Sequence, residues 1–294
     1  MTTTRMPSLG WAYAGLVLAM MIWASSFVAL KLAFRGYDPM VVIFGRMAVA
    51  SVCFAPFLPR FRATVPLIRK DIRPLLFMAL CEPCLYFIFE ARAMELTTAS
   101  QAGMITAILP LLVAIGARIV LGEQLATQTL IGFAVAICGA CWLSVAGQPA
   151  MEAPNPLLGN ILEFLAMVCA TGYIVSLKRL TANYSPFFLT AVQAFVGGVF
   201  FAVFLFLPST DLPTRFEPVP TIAVIYLGAV VTLGAYGLYN YGVSRIPVSR
   251  ASVFINLIPV FTVILGGVIL GERFSFYQYI ASGLVFIGIY ISQR

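Results

Sequence analysis

The chain has 294 residues, of which 61% are hydrophobic and only 10% charged, with a mean hydropathy of +0.99. A soluble domain carries about 25% charged residues and could not hide this much apolar surface, so a water-soluble globular protein is excluded. The net charge of +7 would suit nucleic acid in a soluble chain, but here the cations cluster beside apolar runs, where they orient spans, and no nucleic-acid partner is expected.

A helix needs about 20 mainly apolar residues to cross a hydrocarbon core of about 30 Å. Ten stretches approach that length: 11–32, 39–58, 74–93, 98–121, 126–146, 157–177, 186–207, 219–241, 248–270 and 275–292. The N-terminal segment MTTTRMPSLG is short and polar and leads into a run of full length, so no removable signal peptide is expected. The first span contains Trp23 and Ser26, candidates for the lining of an internal cavity. The second opens after Asp38 at Pro39 and carries Arg46 about two turns in. An ionised side chain at the centre of a membrane helix costs about 2.5–3.5 kcal/mol, so Arg46 should be paired or face a cavity. It suits an ion pair with Asp38 or Glu90, or bidentate attraction of a substrate carboxylate. The connection from Pro59 to Arg73 is the longest in the chain, holds Arg60, Arg62, Arg69, Lys70 and Arg73, and leaves no room for a soluble domain.

In the third span Glu82 precedes Pro83, which removes a backbone donor and can kink the helix. Tyr86 and Glu90 follow at steps of four, so Glu82, Tyr86 and Glu90 form one polar strip expected to face a cavity. For Glu90 an ion pair with Arg92 or Arg46 is the plainer alternative. The sixth span contributes Tyr173 and the eighth Tyr236, Tyr239 and Asn240, an aromatic and polar lining suited to a flat, partly apolar ligand. In the ninth, Ser249, Ser252, Asn256 and Pro259 share a helical stripe, matched in the fourth by Ser100, Gly103, Ala107 and Pro110. Small residues there allow close helix approach. Pro110 and Pro259, with Pro83, are candidate hinges whose freed carbonyls could hold an ammonium, and Asn256 is the expected polar contact. Lys31, Arg118, Lys178 and Arg250 fall near span ends and read as snorkelling anchors. The fifth and tenth spans have almost no buried polar groups beyond small ones, so they are expected to serve as lipid-facing support or dimer contacts through Gly132, Gly139, Gly283 and Gly288. Oligomeric state stays open.

The stretch ILPLLVAIGARIVLGEQ from Ile108 is written again as LIPVFTVILGGVILGER from Leu257. A shift of 149 aligns the prolines, Ser100 with Ser249, Ala102 with Ala251, both Leu-Gly-Glu triplets, and Gly139 with Gly288. Earlier in the chain a shift of 147 aligns Tyr37-Asp38-Pro39 with Tyr184-Ser185-Pro186, Arg46 with Gln193, and Lys31 with Lys178. Two diverged copies follow, the first within 1–146 and the second within 147–294. Five spans per copy is an odd number, so the copies should be inverted about an axis in the membrane plane. With both termini in the cytoplasm, twelve cations fall on that side and five on the other, the expected positive-inside bias. Glu123 and Glu272 then lie on opposite faces, and each is expected to punctuate a helix end in water or headgroups.

The paired signatures TTASQAGMITAILPLL…LGEQ and PVSRASVFINLIPVF…LGER, with IWASSFVALK in the first span, resemble the EamA branch of the drug/metabolite transporter superfamily. The overall layout is similar to that of the bacterial aromatic amino acid exporters. The resemblance implies an all-α membrane fold of ten helices, a bacterial inner-membrane location, outward transport and alternating access.

Three function classes compete on the residues. An intramembrane enzyme would call for a nucleophile beside a base or for metal ligands, and the chain has no histidine and isolated acids. Cys81-Glu-Pro-Cys84 has metal or redox spacing but sits in an apolar run, so packing is expected; neither metal, cofactor nor enzyme activity is. A channel or structural subunit lacks positive support. A transporter fits best: an amino acid needs an acceptor for its ammonium, a donor for its carboxylate and an apolar or aromatic pocket. Cationic drugs, which would want an unpaired buried carboxylate such as Glu82 or Glu90, are the alternative, and protons are a further candidate partner if either acid titrates.

Overall fold

The computed structural model describes residues 9–59, 69–122, 124, 126–147 and 149–292. Arg5, Arg60, Arg62, Glu123 and Arg294, which entered the charge and repeat arguments, lie outside the described residues. Nine helices among these residues are long and apolar enough to cross a membrane: α1 Gly10–Phe34, α2 Pro39–Phe57, α3 Arg69–Leu96, α4 Ala99–Leu121, α5 Thr127–Val145, α6 Pro156–Leu180, α7 Pro186–Phe204, α8 Pro218–Arg245 and α9 Arg250–Leu270. A shorter apolar helix, α10, spans Phe276–Ile291. The outer surface exposes Trp11, Val52, Val199, Phe206 and Val268, while Arg46, Glu82, Glu90, Glu163 and Asn240 are buried. Apolar outside and polar inside is the distribution of a multi-pass membrane protein, in which buried polar groups must find partners within the bundle.

Helix starts follow the local chemistry of the sequence. Asp38 accepts the Met40 N–H at 2.8 Å with Pro39 in the first turn, and Ser185 accepts the Phe188 N–H at 3.2 Å with Pro186 in the first turn. The repeat-aligned Asp38-Pro39 and Ser185-Pro186 pairs are thus the same device, a side-chain cap and a residue needing no N–H partner. Gly122 and Gly271 end α4 and α9 in the left-handed region, with φ of 71° and 72°, as the Leu-Gly-Glu triplets lead one to expect.

Three expectations are corrected. Glu272 does not merely sit in water: its carboxylate accepts the N–H groups of Ala99 and Ser100, both at 2.8 Å, and so caps the first turn of α4. Orphan N–H groups and the helix dipole make that end an anion site. Lys31 and Lys178 are not simple snorkelling anchors either. Lys31 Nζ donates to the Glu152 carbonyl at 2.6 Å, and Lys178 Nζ to the Val243 and Ile246 carbonyls at 2.8 and 2.9 Å, closing off unpaired backbone acceptors. Finally, the glycine faces of α5 and α10 are turned to each other rather than to a second chain. A side chain at Gly139 would meet the Val285 nitrogen at 2.7 Å and the Ala281 carbonyl at 3.0 Å; one at Gly288 would meet the Ala136 nitrogen at 2.5 Å and the Gly132 carbonyl at 2.6 Å. Under the shift of 149, Gly139, Ala136 and Gly132 align with Gly288, Val285 and Ala281, so the contact is reciprocal. Gly283 meets nothing within 4 Å and takes no part.

Candidate functional site

Helix α3 cannot remain regular. Pro83 supplies no N–H and Glu82 is extended at φ −151° and ψ 118°, so α3 divides into Ile72–Ala79 and Tyr86–Leu96 around a break. The Glu82 carbonyl at the break accepts a hydrogen bond from Gln193 Nε2 of α7 at 3.0 Å. In α8 the backbone ladder widens over Leu227–Ala235, and there Arg46 Nε of α2 donates to Thr232 Oγ1 at 2.8 Å. Arg46 and Gln193 are repeat-aligned, so the second helix of each half sends a polar side chain into the irregular turn of the other half. Irregular turns of this kind commonly sit at functional sites.

Between these turns lies a narrow cavity of about 40 Å³, in this conformation room for a few waters. Trp23, Ser26, Arg46, Glu82, Tyr86, Glu90, Tyr173 and Tyr236 line it, all expected as site residues. The polar strip of α3 is therefore brought together with the Arg46 guanidinium and the aromatic rings of three other helices. Arg46 lies over the Phe87 ring at 4.1 Å and faces Glu90, Nη1 to Oε2 being 3.7 Å. Tyr86 donates to the other oxygen of Glu90 at 2.9 Å, and Tyr236 donates to Glu82. The alternative partners are taken elsewhere: Arg92 pairs with Glu95 at 2.8 Å, and Asp38 caps α2. Trp23 packs against Tyr236 and Tyr239 with ring centres 5.0 and 4.8 Å apart. Among the described residues three polar atoms on the lining side chains have no hydrogen-bond partner: Trp23 Nε1, Arg46 Nη1 and Glu90 Oε2. Buried donors and acceptors are nearly always hydrogen-bonded, so the Trp23 N–H and the long Arg46–Glu90 ion pair, whose facing atoms make no hydrogen bond, are the groups a polar ligand would meet.

Four expected residues do not line the cavity. Asn240 is buried behind it, where it accepts the Tyr173 hydroxyl and donates to Thr190 Oγ1 at 2.8 Å, so it positions a lining residue. Tyr239 is fully buried against Trp23. Ser252 and Asn256 are also absent from the lining, and α9 presents Ile255 and Ile258 instead. The polar stripe of α9 is turned by the tight turn Phe254–Asn256 that precedes Pro259, and α4 has the same turn, Thr106–Ile108, ahead of Pro110. Helical periodicity carried through such a turn puts the wrong face inward. Thr106 and Leu109 of α4 and Met167, Ala170 and Ile174 of α6 also line the cavity; the apolar ones among them carry no signal in the sequence that separates cavity from core. Glu163 of α6 was also missed. It is fully buried, with neither carboxyl oxygen hydrogen-bonded, and its signal was legible: an acid inside an apolar span.

The sequence profile of the EamA-like transporter family matches residues 10–145 and again 157–293. The chain is 29% identical over 287 residues to an uncharacterized transporter, YetK, of Bacillus subtilis, covering 96% of this chain and 86% of that one. It is 28% identical over 263 residues to a probable terminal-alkyne amino-acid exporter of Streptantibioticus cattleyicolor, covering 87% and 84%. A solved crystal structure of another protein superposes with a TM-score of 0.64 at 20% identity, covering 97% of this chain and 96% of that one, which shows the fold alone.

Proposed function

The chain belongs to the EamA-like transporter family, and from that premise we propose that it exports small amphipathic metabolites, amino acids including aromatic ones foremost. The observation that carries this reading is the set of polar atoms without hydrogen bonds around one aromatic cavity: the Trp23 N–H and the facing atoms of the long Arg46–Glu90 ion pair. Arg46 Nη1 and Trp23 Nε1 suit a carboxylate, Glu90 Oε2 suits an ammonium, and the rings of Tyr86, Tyr173 and Tyr236 suit a flat apolar side chain. The amino-acid exporter among the relatives supports the substrate class.

Movement is by alternating access of two inverted halves, 1–146 and 147–294, about this cavity, in a bacterial inner membrane with both termini cytoplasmic. Reciprocal contacts at Gly139 and Gly288, and at Arg46 and Gln193, support a two-fold relation between the halves. The breaks before Pro83, Pro110 and Pro259 are the hinges, since a helix bends where its hydrogen-bond ladder is already interrupted. Glu82 and Glu90 near a single guanidinium favour, as a second reading, cationic drugs as cargo.

Counterflow in proteoliposomes tests the assignment. Radiolabelled phenylalanine, tyrosine, tryptophan, leucine and alanine should exchange, the aromatic ones faster, and ethidium should not. Exchange of ethidium alone selects the second reading; exchange of none, with folded protein, sinks both.

A further inference from the structure

Helix α6 carries one stripe of residues that the substrate cavity only partly uses. Met167, Ala170 and Ile174 line the cavity, and Asn160 and Glu163 continue the same face toward the Pro156 end. Asn160 is buried in a network: its Oδ1 accepts from Thr97 Oγ1 at 2.9 Å, and its Nδ2 donates to Gln101 Oε1 at 3.0 Å and Ser144 Oγ at 3.1 Å. Gln101 also lines a second, surface cleft with Thr98, Glu152 and Glu272. Glu163 thus stands between an outer cleft and the central cavity, one helical turn from Met167.

Both oxygens of Glu163 are buried and without a hydrogen-bond partner. The charged group whose field acts on it is Glu90 of α3, which is like-charged and already shared with Arg46 and Tyr86. The Tyr86 phenol is the other titratable neighbour. Among the described residues the remaining helices packed on α6 bring no cation to its level. The charges of α4 and α9 are Arg118 and Arg250, both exposed, α5 has none, and Arg245 is exposed at the far end of α8. An ionised carboxyl in such a place needs a donor or a cation. Hard metal ions take six or more oxygens, whereas a proton needs one lone pair. Among the described residues no group of three His, Cys, Asp or Glu side chains could hold a metal.

We propose that Glu163 is a proton site of the transport cycle, loaded from the side of the outer cleft where the Gln101–Asn160 network lies, and coupled to the substrate cavity through Glu90. The inference rests on the transporter reading. A proton on Glu163 leaves Glu90 as the acceptor facing the cavity; its departure adds a second negative charge beside Glu90 and alters how an ammonium is held.

Two measurements test it. In wild-type protein in nanodiscs, dicyclohexylcarbodiimide, which reacts with protonated buried carboxyls, should modify Glu163, read by mass spectrometry of its peptide, and modification should fall as the pH is raised. In proteoliposomes with radiolabelled phenylalanine, Glu163→Gln should lower pH-gradient-driven accumulation by about tenfold or more and leave counterflow within about twofold of wild type. Glu163→Asp, which keeps the titrating group, should retain part of the gradient-driven movement. The proposal is overturned by the absence of a Glu163 adduct at every pH, by gradient-driven accumulation that survives Glu163→Gln, or by a wild type that exchanges phenylalanine yet ignores a pH gradient. If the wild type exchanges no amino acid, the substrate assignment fails, and the labelling decides Glu163 on its own.

Discussion

Helices α3 and α8 hold equivalent places in the two copies, and they differ in an instructive way. Both are interrupted near their middles, at Glu82-Pro83 and over Leu227–Ala235. Both interruptions receive a polar side chain from the opposite half, Gln193 in one case and Arg46 in the other. The backbone device is shared and the chemistry is not. Helix α3 brings the carboxyls of Glu82 and Glu90, whereas α8 brings the phenols of Tyr236 and Tyr239 and the amide of Asn240. Duplication fixes where a cavity can open, because helix packing and irregular turns are set by small residues and prolines. It leaves each copy free to change the charge it points inward, and so a scaffold of repeated parts can carry one asymmetric site.

The difference is sharpest at Arg46. Arg46→Leu removes the ion-pair partner of a buried carboxyl, so it should destabilise the folded protein by about 3–5 kcal/mol and abolish counterflow. Adding Glu90→Leu should recover much of the stability and none of the transport, as read by thermal unfolding in detergent and by counterflow. Stability that stays low in the double variant would mean that Arg46 acts mainly through Thr232 and Phe87, making α8 rather than α3 its principal partner.

The α5 and α10 pair offers the opposite case, a place where the two copies are still alike. Gly139→Val and Gly288→Val should each cost about 1–3 kcal/mol, because the added atoms meet backbone that cannot move aside, and the two losses should agree within about 1 kcal/mol. Gly283→Ala, in open space, should fall within about 0.5 kcal/mol of wild type. Unequal losses at Gly139 and Gly288 would break the two-fold reading of that contact.

A modest loss is expected at the neutral counterpart of Arg46. Gln193→Ala leaves the Glu82 carbonyl without its donor and should cost about 1 kcal/mol, well below the loss at Arg46. A loss as large as that at Arg46 would show that the break in α3 depends on this single hydrogen bond.

Composition and span length alone determined that this chain lies in a membrane, since no water-soluble core can absorb its apolar residues. Punctuation determined the helix ends and the duplication, because caps, prolines and left-handed glycines act on their immediate neighbours. The polar strip of α3 was legible as well, since an acid in an apolar helix has few places to go. Only the tertiary structure decided which faces meet. It turned Asn256 and Ser252 away from the cavity through a tight turn that helical periodicity ignores, and set Asn240 behind Tyr173. It brought Glu272 of one copy to the first turn of α4 in the other, and left Glu163 without a hydrogen-bonding neighbour. A partner far away in sequence is chosen by packing, and packing depends on the whole arrangement of helices rather than on any stretch of residues within one of them.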